Sequence, residues 1–189
     1  MKDETIEKIA QGVASGGTLL YPTDTIWGIG CDAANAVAVD KLYALKQRDY
    51  GKSMLILCSN IAMVERYVGT VEASVRQQLL FADRPTTVII PVAQSLLAGN
   101  LLAQDGTVGV RIPRMEFCQR LLQALGRPLV STSANFSGHP SPASYADIEP
   151  ALLRLVDCVV PTEWEEPSGG QASRIVKVQP DGSVAVIRE

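Results

Sequence analysis

The chain has 189 residues, 47% of them apolar or aromatic and 20% charged, a balance that supports a buried core without disulfide or metal staples and argues against a disordered segment. Net charge is −3 and the isoelectric point about 5.3, so attachment to nucleic acid through global charge is disfavoured and only a local basic cleft is left open. Cys31, Cys58, Cys118 and Cys158 lie far apart and His139 is the only histidine, which argues against a Cys/His zinc site and for reduced core thiols of a cytoplasmic protein.

The chain opens on MKDETIEKIAQ, polar and acidic, with no apolar signal core. No apolar run approaches the ~20 residues that cross a bilayer. The expectation is a single soluble domain over residues 1–189.

Ile6, Ile9, Ala10 and Val13 recur at helical spacing within residues 5–15, and Gly16-Gly17 ends the helix. TLLY at 18–21 reads as a buried strand stopped by Pro22. A helix follows over 36–48, with Val39, Leu42 and Leu45 inward, then a strand at 54–58. Residues 61–81 give one or two helices broken near Gly69. TTVIIP at 86–91 and TVGVRIP at 107–113 are strands closed by proline, 115–125 is a helix ended by Gly126, and PLVSTS at 128–133 is a strand. Residues 134–142 form a Ser/Gly/Pro-rich loop, and short helical pieces run to Leu155. CVVP, SRIVKV and VAVIR are three final strands, the last two joined as a hairpin by Gln179-Pro180-Asp181-Gly182. The early strands are nearly continuous apolar runs separated by helices, which predicts a substantially parallel arrangement in one mixed α/β sheet flanked by helices.

Four segments carry candidate chemistry. Lys46, Arg48 and Lys52 place three cations within seven residues at a helix end; they either complement the helix dipole or sit at a strand end where α/β sheets bind ligands. Gly51-Lys52-Ser53 resembles the end of a P-loop, but the first glycine of that motif would fall on Lys46 and the helix precedes the loop, so the motif is absent. In extended backbone Ser131, Ser133 and Asn135 share one face, and Ser141 extends the polar loop; a helix cap or an Asx-turn would use the same residue types. Alternation puts Thr107, Gly109 and Arg111 on one face of their strand, with a gap at Gly109 for a ligand or a close backbone. Tyr21 to Cys31 leads a strand into Thr23, Asp24, Thr25 and two glycines. With one histidine and no G-x-S-x-G, a Ser-His-Asp hydrolase is disfavoured, and no carboxylate pair suits a glycosidase. Trp27 and Trp164 could stack a base, although packing explains them as well.

YPTDTIWGIGCDA, LKQRDYGKSMLIL, RPTTVIIP, TVGVRIP and STSANFSGHPSP follow one another in an order and spacing that closely resembles the YrdC-like (TsaC) threonylcarbamoyl-AMP synthases, from about Thr18 to the C-terminus. The hallmark of that family, Lys-x-Arg followed much later by Ser-x-Asn, matches Lys46, Arg48, Ser133 and Asn135. The resemblance implies a twisted open sheet around a cationic central cavity. It implies synthesis of threonylcarbamoyl-AMP and pyrophosphate from L-threonine, bicarbonate and ATP, for threonylcarbamoyladenosine in tRNA. By the same resemblance Lys46, Arg48, Lys52, Thr107, Ser133, Asn135, Ser141 and Arg188 face ATP, with Lys46, Arg48, Ser133 and Asn135 the catalytic set. Thr25, Arg111, Ser131 and Ser173 hold threonine, and Mg²⁺ is held mainly by phosphates, with no protein metal site. Downstream tRNA-modification proteins and weak RNA contact are the partners implied, with no membrane. The late motif reads Ala172-Ser173-Arg174 where Glu-Ser-Thr is usual, and the extra C-terminal domain of longer relatives is not expected after Arg188. Two other readings compete. One is an RNA-binding module without catalysis; the other is a YciO-like paralogue without synthase activity, against which the intact Lys46/Arg48 and Ser133/Asn135 pairs speak.

Overall fold

The computed structural model describes residues 2–50, 54–92, 95–167, 170–179 and 181–189. Lys52 and the rest of the 51–53 segment, and Pro180 of the hairpin turn, lie outside the described residues. In chain order the helices are α1 (Lys2–Ala14), α2 (Ala36–Lys46), α3 (Ile61–Val68), α4 (Ala73–Phe81), α5 (Glu116–Leu125) and the short α6 (Pro150–Leu153). The strands are β1 (Leu19–Tyr21), β2 (Gly28–Gly30), β3 (Leu55–Leu57), β4 (Thr86–Pro91), β5 (Thr107–Arg111), β6 (Leu129–Ser133), β7 (Cys158–Val159), β8 (Arg174–Val178) and β9 (Val184–Arg188).

The strands form one mixed sheet in the order β7-β1-β2-β6-β3-β5-β4-β8-β9. Parallel pairing is confined to β1–β7, β3–β5 and β4–β8. The pairs β1–β2, β2–β6, β3–β6, β4–β5 and β8–β9 are antiparallel, so the expectation of a substantially parallel sheet is corrected. Its physical reason is double-sided burial: apolar runs mark any strand covered on both faces, whatever its direction.

The two glycines that follow β1 belong to a strand, β2. Gly28-Ile29-Gly30 pairs β1 on one side and β6 on the other. A Cβ at Gly30 would meet the Val130 carbonyl oxygen at 2.1 Å, so only glycine lets the backbones approach this closely. Gly69, at φ 92°, separates α3 from α4. The final hairpin forms as expected, with the Gln179 N–H donating to Ser183 O and the Gly182 N–H to Gln179 O.

The side-chain alternation of the strands divides the core. Leu20, Ile29, Ile56, Val88, Val110, Val130 and Val176 face α2, α3 and α4. Leu19, Tyr21, Leu57 and Leu129 face α1 and α5, with Phe117, Leu121 and Leu122 packed on Ile6, Ile9 and Val13. Cys31, Cys58 and Cys118 are buried free thiols, and burial holds the Cys31 thiol up at about 12. No helix of the described residues is long and apolar enough to cross a membrane.

Candidate active site

The sheet face that carries α1 and α5 is covered only in part. Where the helices stop, the alternating residues of β3, β4, β5, β6 and β8 floor an open cavity of about 240 Å³. Leu55, Thr87, Ile89, Thr107, Gly109, Arg111, Ser131, Ser133 and Ile175 all project from this one face. The β1–β2 connection adds Thr23, Thr25, Ile26 and Trp27 as one wall; Arg48, Ser141, Ala172, Ser173 and Arg188 close the rim. Thr107, Gly109 and Arg111 therefore point the way strand alternation predicts.

Arg111 is the most constrained polar group on the floor. It is 3% exposed, its Nη1 donates to Thr25 Oγ1 at 2.9 Å, and Asp24 Oδ1 lies 3.6 Å away. Thr25 is itself held, sharing a 2.8 Å hydrogen bond with Thr23 Oγ1, which also donates to Ile26 O. Arg111 Nε is buried without a hydrogen-bond partner. A buried donor left in that state costs about 1–3 kcal/mol. Arg111 is also one of the residues that line the cavity, where a guanidinium can pair with a carboxylate.

Among the described residues, Arg48, Arg111 and Arg188 are the charged residues of the lining, and no carboxylate is among them. Burial, and next the charge of Arg111, depress the Arg188 pKa. Cations crowded in this way on a partly dry surface favour an anionic ligand. Arg188 Nη2 donates to Ser173 O at 2.6 Å, which fixes its head at the rim.

Lys46 and Asn135 meet beside Ser133, a residue of the lining. Neither lines the cavity. Lys46 is 1% exposed, and its ammonium donates to Ser133 O at 2.5 Å, to Asn135 Oδ1 at 2.9 Å and to Asn135 O. Asn135 does not continue the face of Ser131 and Ser133, because β6 ends at Ser133 and the chain turns towards α2. Its Oδ1 also accepts from Ser133 Oγ at 2.5 Å, and its Nδ2 donates to His139 O. Ser137 closes the junction by donating from N and Oγ to Lys46 O. The two separated motifs do meet, then, but as a knot behind the cavity wall. Desolvation by burial, and next the Arg48 charge, bring the Lys46 pKa down to about 7.

Sequence reasoning singled out Thr25, Arg48, Thr107, Arg111, Ser131, Ser133, Ser141, Ser173 and Arg188, and all of them line this one cavity. It passed over Thr87 and Thr132, which also line it. Thr87 sits inside TTVIIP, whose apolar reading hid a hydroxyl on the alternate face. Trp27 lines the wall with its ring, 5.3 Å from that of Tyr145, while its Nε1 donates to Glu165 Oε1 at 2.7 Å. Trp164 packs instead on Phe117. His139 pairs with Glu149 at 2.7 Å, away from the lining residues. No group of three or more His, Cys, Asp or Glu among the described residues could hold a metal ion.

Fold and cavity together define an α/β protein with a ligand cleft on the uncovered face of its sheet. Residues 11–189 match the Sua5/YciO/YrdC family model, described as telomere recombination, and the chain belongs to that family. It is 34% identical over 169 residues to a threonylcarbamoyl-AMP synthase of Stenotrophomonas maltophilia, with 86% of this chain and 89% of that protein covered. Among solved structures it is similar to a doubly substituted Sua5 of P. abyssi, with a TM-score of 0.89 at 23% identity. All of this chain is covered there, and it spans 57% of the Sua5 chain. It is also similar to E. coli YciO, with a TM-score of 0.80 at 24% identity, over 99% of this chain and 89% of the other.

Proposed function

We propose that the protein is an L-threonylcarbamoyladenylate synthase, making threonylcarbamoyl-AMP and pyrophosphate from L-threonine, bicarbonate and ATP. Family membership supports this, as do relatives of that name aligned over nearly their whole length. The observation that carries the reading is Arg111, a nearly buried arginine held by Thr25 in the lining of the same cavity as Arg48 and Arg188. The amino acid is placed at Arg111, with Thr25, Ser131 and Ser173 around it. The triphosphate is placed towards Arg48, Arg188, Thr107, Ser133 and Ser141. In this reading Lys46 and Asn135 act from behind, by holding the Ser133 end of β6. Lys52 is placed by resemblance alone.

Threonine's amine and bicarbonate join as a carbamate with loss of water. A carbamate oxygen forms a bond to the α-phosphorus, and the bond from that phosphorus to the β-bridging oxygen breaks, releasing pyrophosphate. Such a transfer needs the reactants held in line and the phosphate charge neutralised, and no covalent nucleophile. Arginines and hydroxyls fit that demand. Among the described residues the lining offers hydroxyls but no carboxylate, so a Mg²⁺ ion accompanying ATP would take its ligands chiefly from phosphate and water.

The product would pass to the proteins that place threonylcarbamoyl on adenosine in tRNA, in the cytoplasm. The four hallmark residues Lys46, Arg48, Ser133 and Asn135 speak against the YciO-like paralogue without synthase activity. The acidic net charge speaks against an RNA-binding module. The test is pyrophosphate release from ATP in bicarbonate buffer. The expected result is release that depends on L-threonine; release independent of threonine, or none, overturns the reading.

A further inference from the structure

Thr87 belongs to the cavity and has no role in the reaction as derived so far. It is 1% exposed, stands on β4 and projects from the cavity face. Its Oγ1 shares a 2.8 Å hydrogen bond with Ser173 Oγ. Its methyl is turned towards Gly109, where a Cβ would meet Thr87 Cγ2 at 3.0 Å. A β-branched side chain has few χ1 choices. With the methyl seated in the space that glycine leaves on β5, the hydroxyl is fixed in the direction of Ser173.

Ser173 needs such a hold. It precedes β8 by one residue, and its backbone carbonyl accepts from Arg188 Nη2 at 2.6 Å. Its hydroxyl is engaged by Thr87. One contact therefore comes from the floor and one from the rim, and together they set where the remaining hydrogen-bonding capacity of the Ser173 hydroxyl points.

We propose that Thr87 is a positioning residue for the amino-acid substrate, acting through Ser173: its hydroxyl orients the serine that meets threonine, and its methyl, seated against Gly109, holds that orientation. The inference rests on the proposed function, because it takes Ser173 to face the amino acid.

The test is a double-substitution cycle read by calorimetry, with L-threonine and ATP titrated separately into the full chain. Thr87→Val keeps the shape and removes the hydroxyl. It is expected to weaken threonine binding about five- to tenfold, the worth of one hydrogen bond, and to leave ATP affinity within about twofold. Thr87→Ser keeps the hydroxyl and is expected to retain most of the threonine affinity. Ser173→Ala is expected to weaken threonine binding by itself, and Thr87→Val added to it is expected to change little more, because its effect runs through the serine. Three results would overturn the proposal: unchanged threonine affinity in Thr87→Val, equal loss of ATP and threonine affinity, or full additivity with Ser173→Ala. Binding is measured without turnover. An enzyme that binds threonine but releases no pyrophosphate would therefore sink the synthase reading while the cycle still decides the role of Thr87.

Discussion

Arg111 and Lys46 are both nearly inaccessible cations, yet they answer burial in opposite ways. Arg111 lines the cavity and donates to Thr25, whereas Lys46 directs its hydrogens to the oxygens of Ser133 and Asn135. Arg111→Met removes the carboxylate partner with little change in bulk. It is expected to weaken threonine binding by about 100-fold, as for loss of a charge-assisted pair, with ATP affinity much less affected. Equal losses for both ligands would contradict the division of the cavity into two halves. Lys46 gives a pH signature. Its pKa falls from the ordinary 10.5 to about 7 on folding, so between those values the unfolded chain binds more protons than the folded one. Stability of the ligand-free protein therefore gains a contribution as pH rises above 7, at most about 1.4 kcal/mol per pH unit. Urea unfolding between pH 7 and 8.5 should show this slope in the wild type and its loss in Lys46→Met. Parallel slopes would mean that the buried lysine does not titrate there.

The elements show why some of the molecule was legible in sequence and some was not. Helices α2, α3, α4 and α5 carry apolar residues at helical spacing, and α3 and α5 end at Gly69 and Gly126, signals that lie within a few residues of one another. β2 carries no such signal, because Gly28 and Gly30 have poor strand propensity and their reason for being there is Val130, which is 100 residues away. Gly30→Ala is accordingly expected to cost more than about 2 kcal/mol, since backbone of β2 and β6 must separate to admit a methyl. Thermal unfolding of the variant checks this, and an unchanged midpoint would contradict the close approach. The same limit hid Thr87 and misplaced Asn135. Alternation along β6 was extended two residues past its end at Ser133, and the bend towards Lys46 is set by a hydrogen-bond knot with a helix 89 residues earlier.

For the molecule as a whole, the acidic composition and the arginine-lined cavity are compatible because the charges are separated in space. The net charge of −3 describes the surface at large, while the cavity lining carries Arg48, Arg111 and Arg188 and no acid among the described residues. Strands β4, β5, β6 and β9 and the connections beside them bring those arginine and hydroxyl groups together from positions as distant as Thr25 and Arg188, which only the sheet order makes neighbours. The motif blocks therefore pointed to one site, while its two-sided construction, with a lined cavity in front and the Lys46–Asn135 knot behind, required the fold. The account's central claim is that this cavity joins an amino acid, bicarbonate and the adenylate of ATP. It is tested most directly by mass spectrometry of a reaction run with ¹³C-bicarbonate, L-threonine, Mg²⁺ and ATP. The predicted result is a threonylcarbamoyl-AMP species carrying the heavy carbon, abolished by Arg111→Met; AMP and pyrophosphate without any labelled adenylate would contradict it.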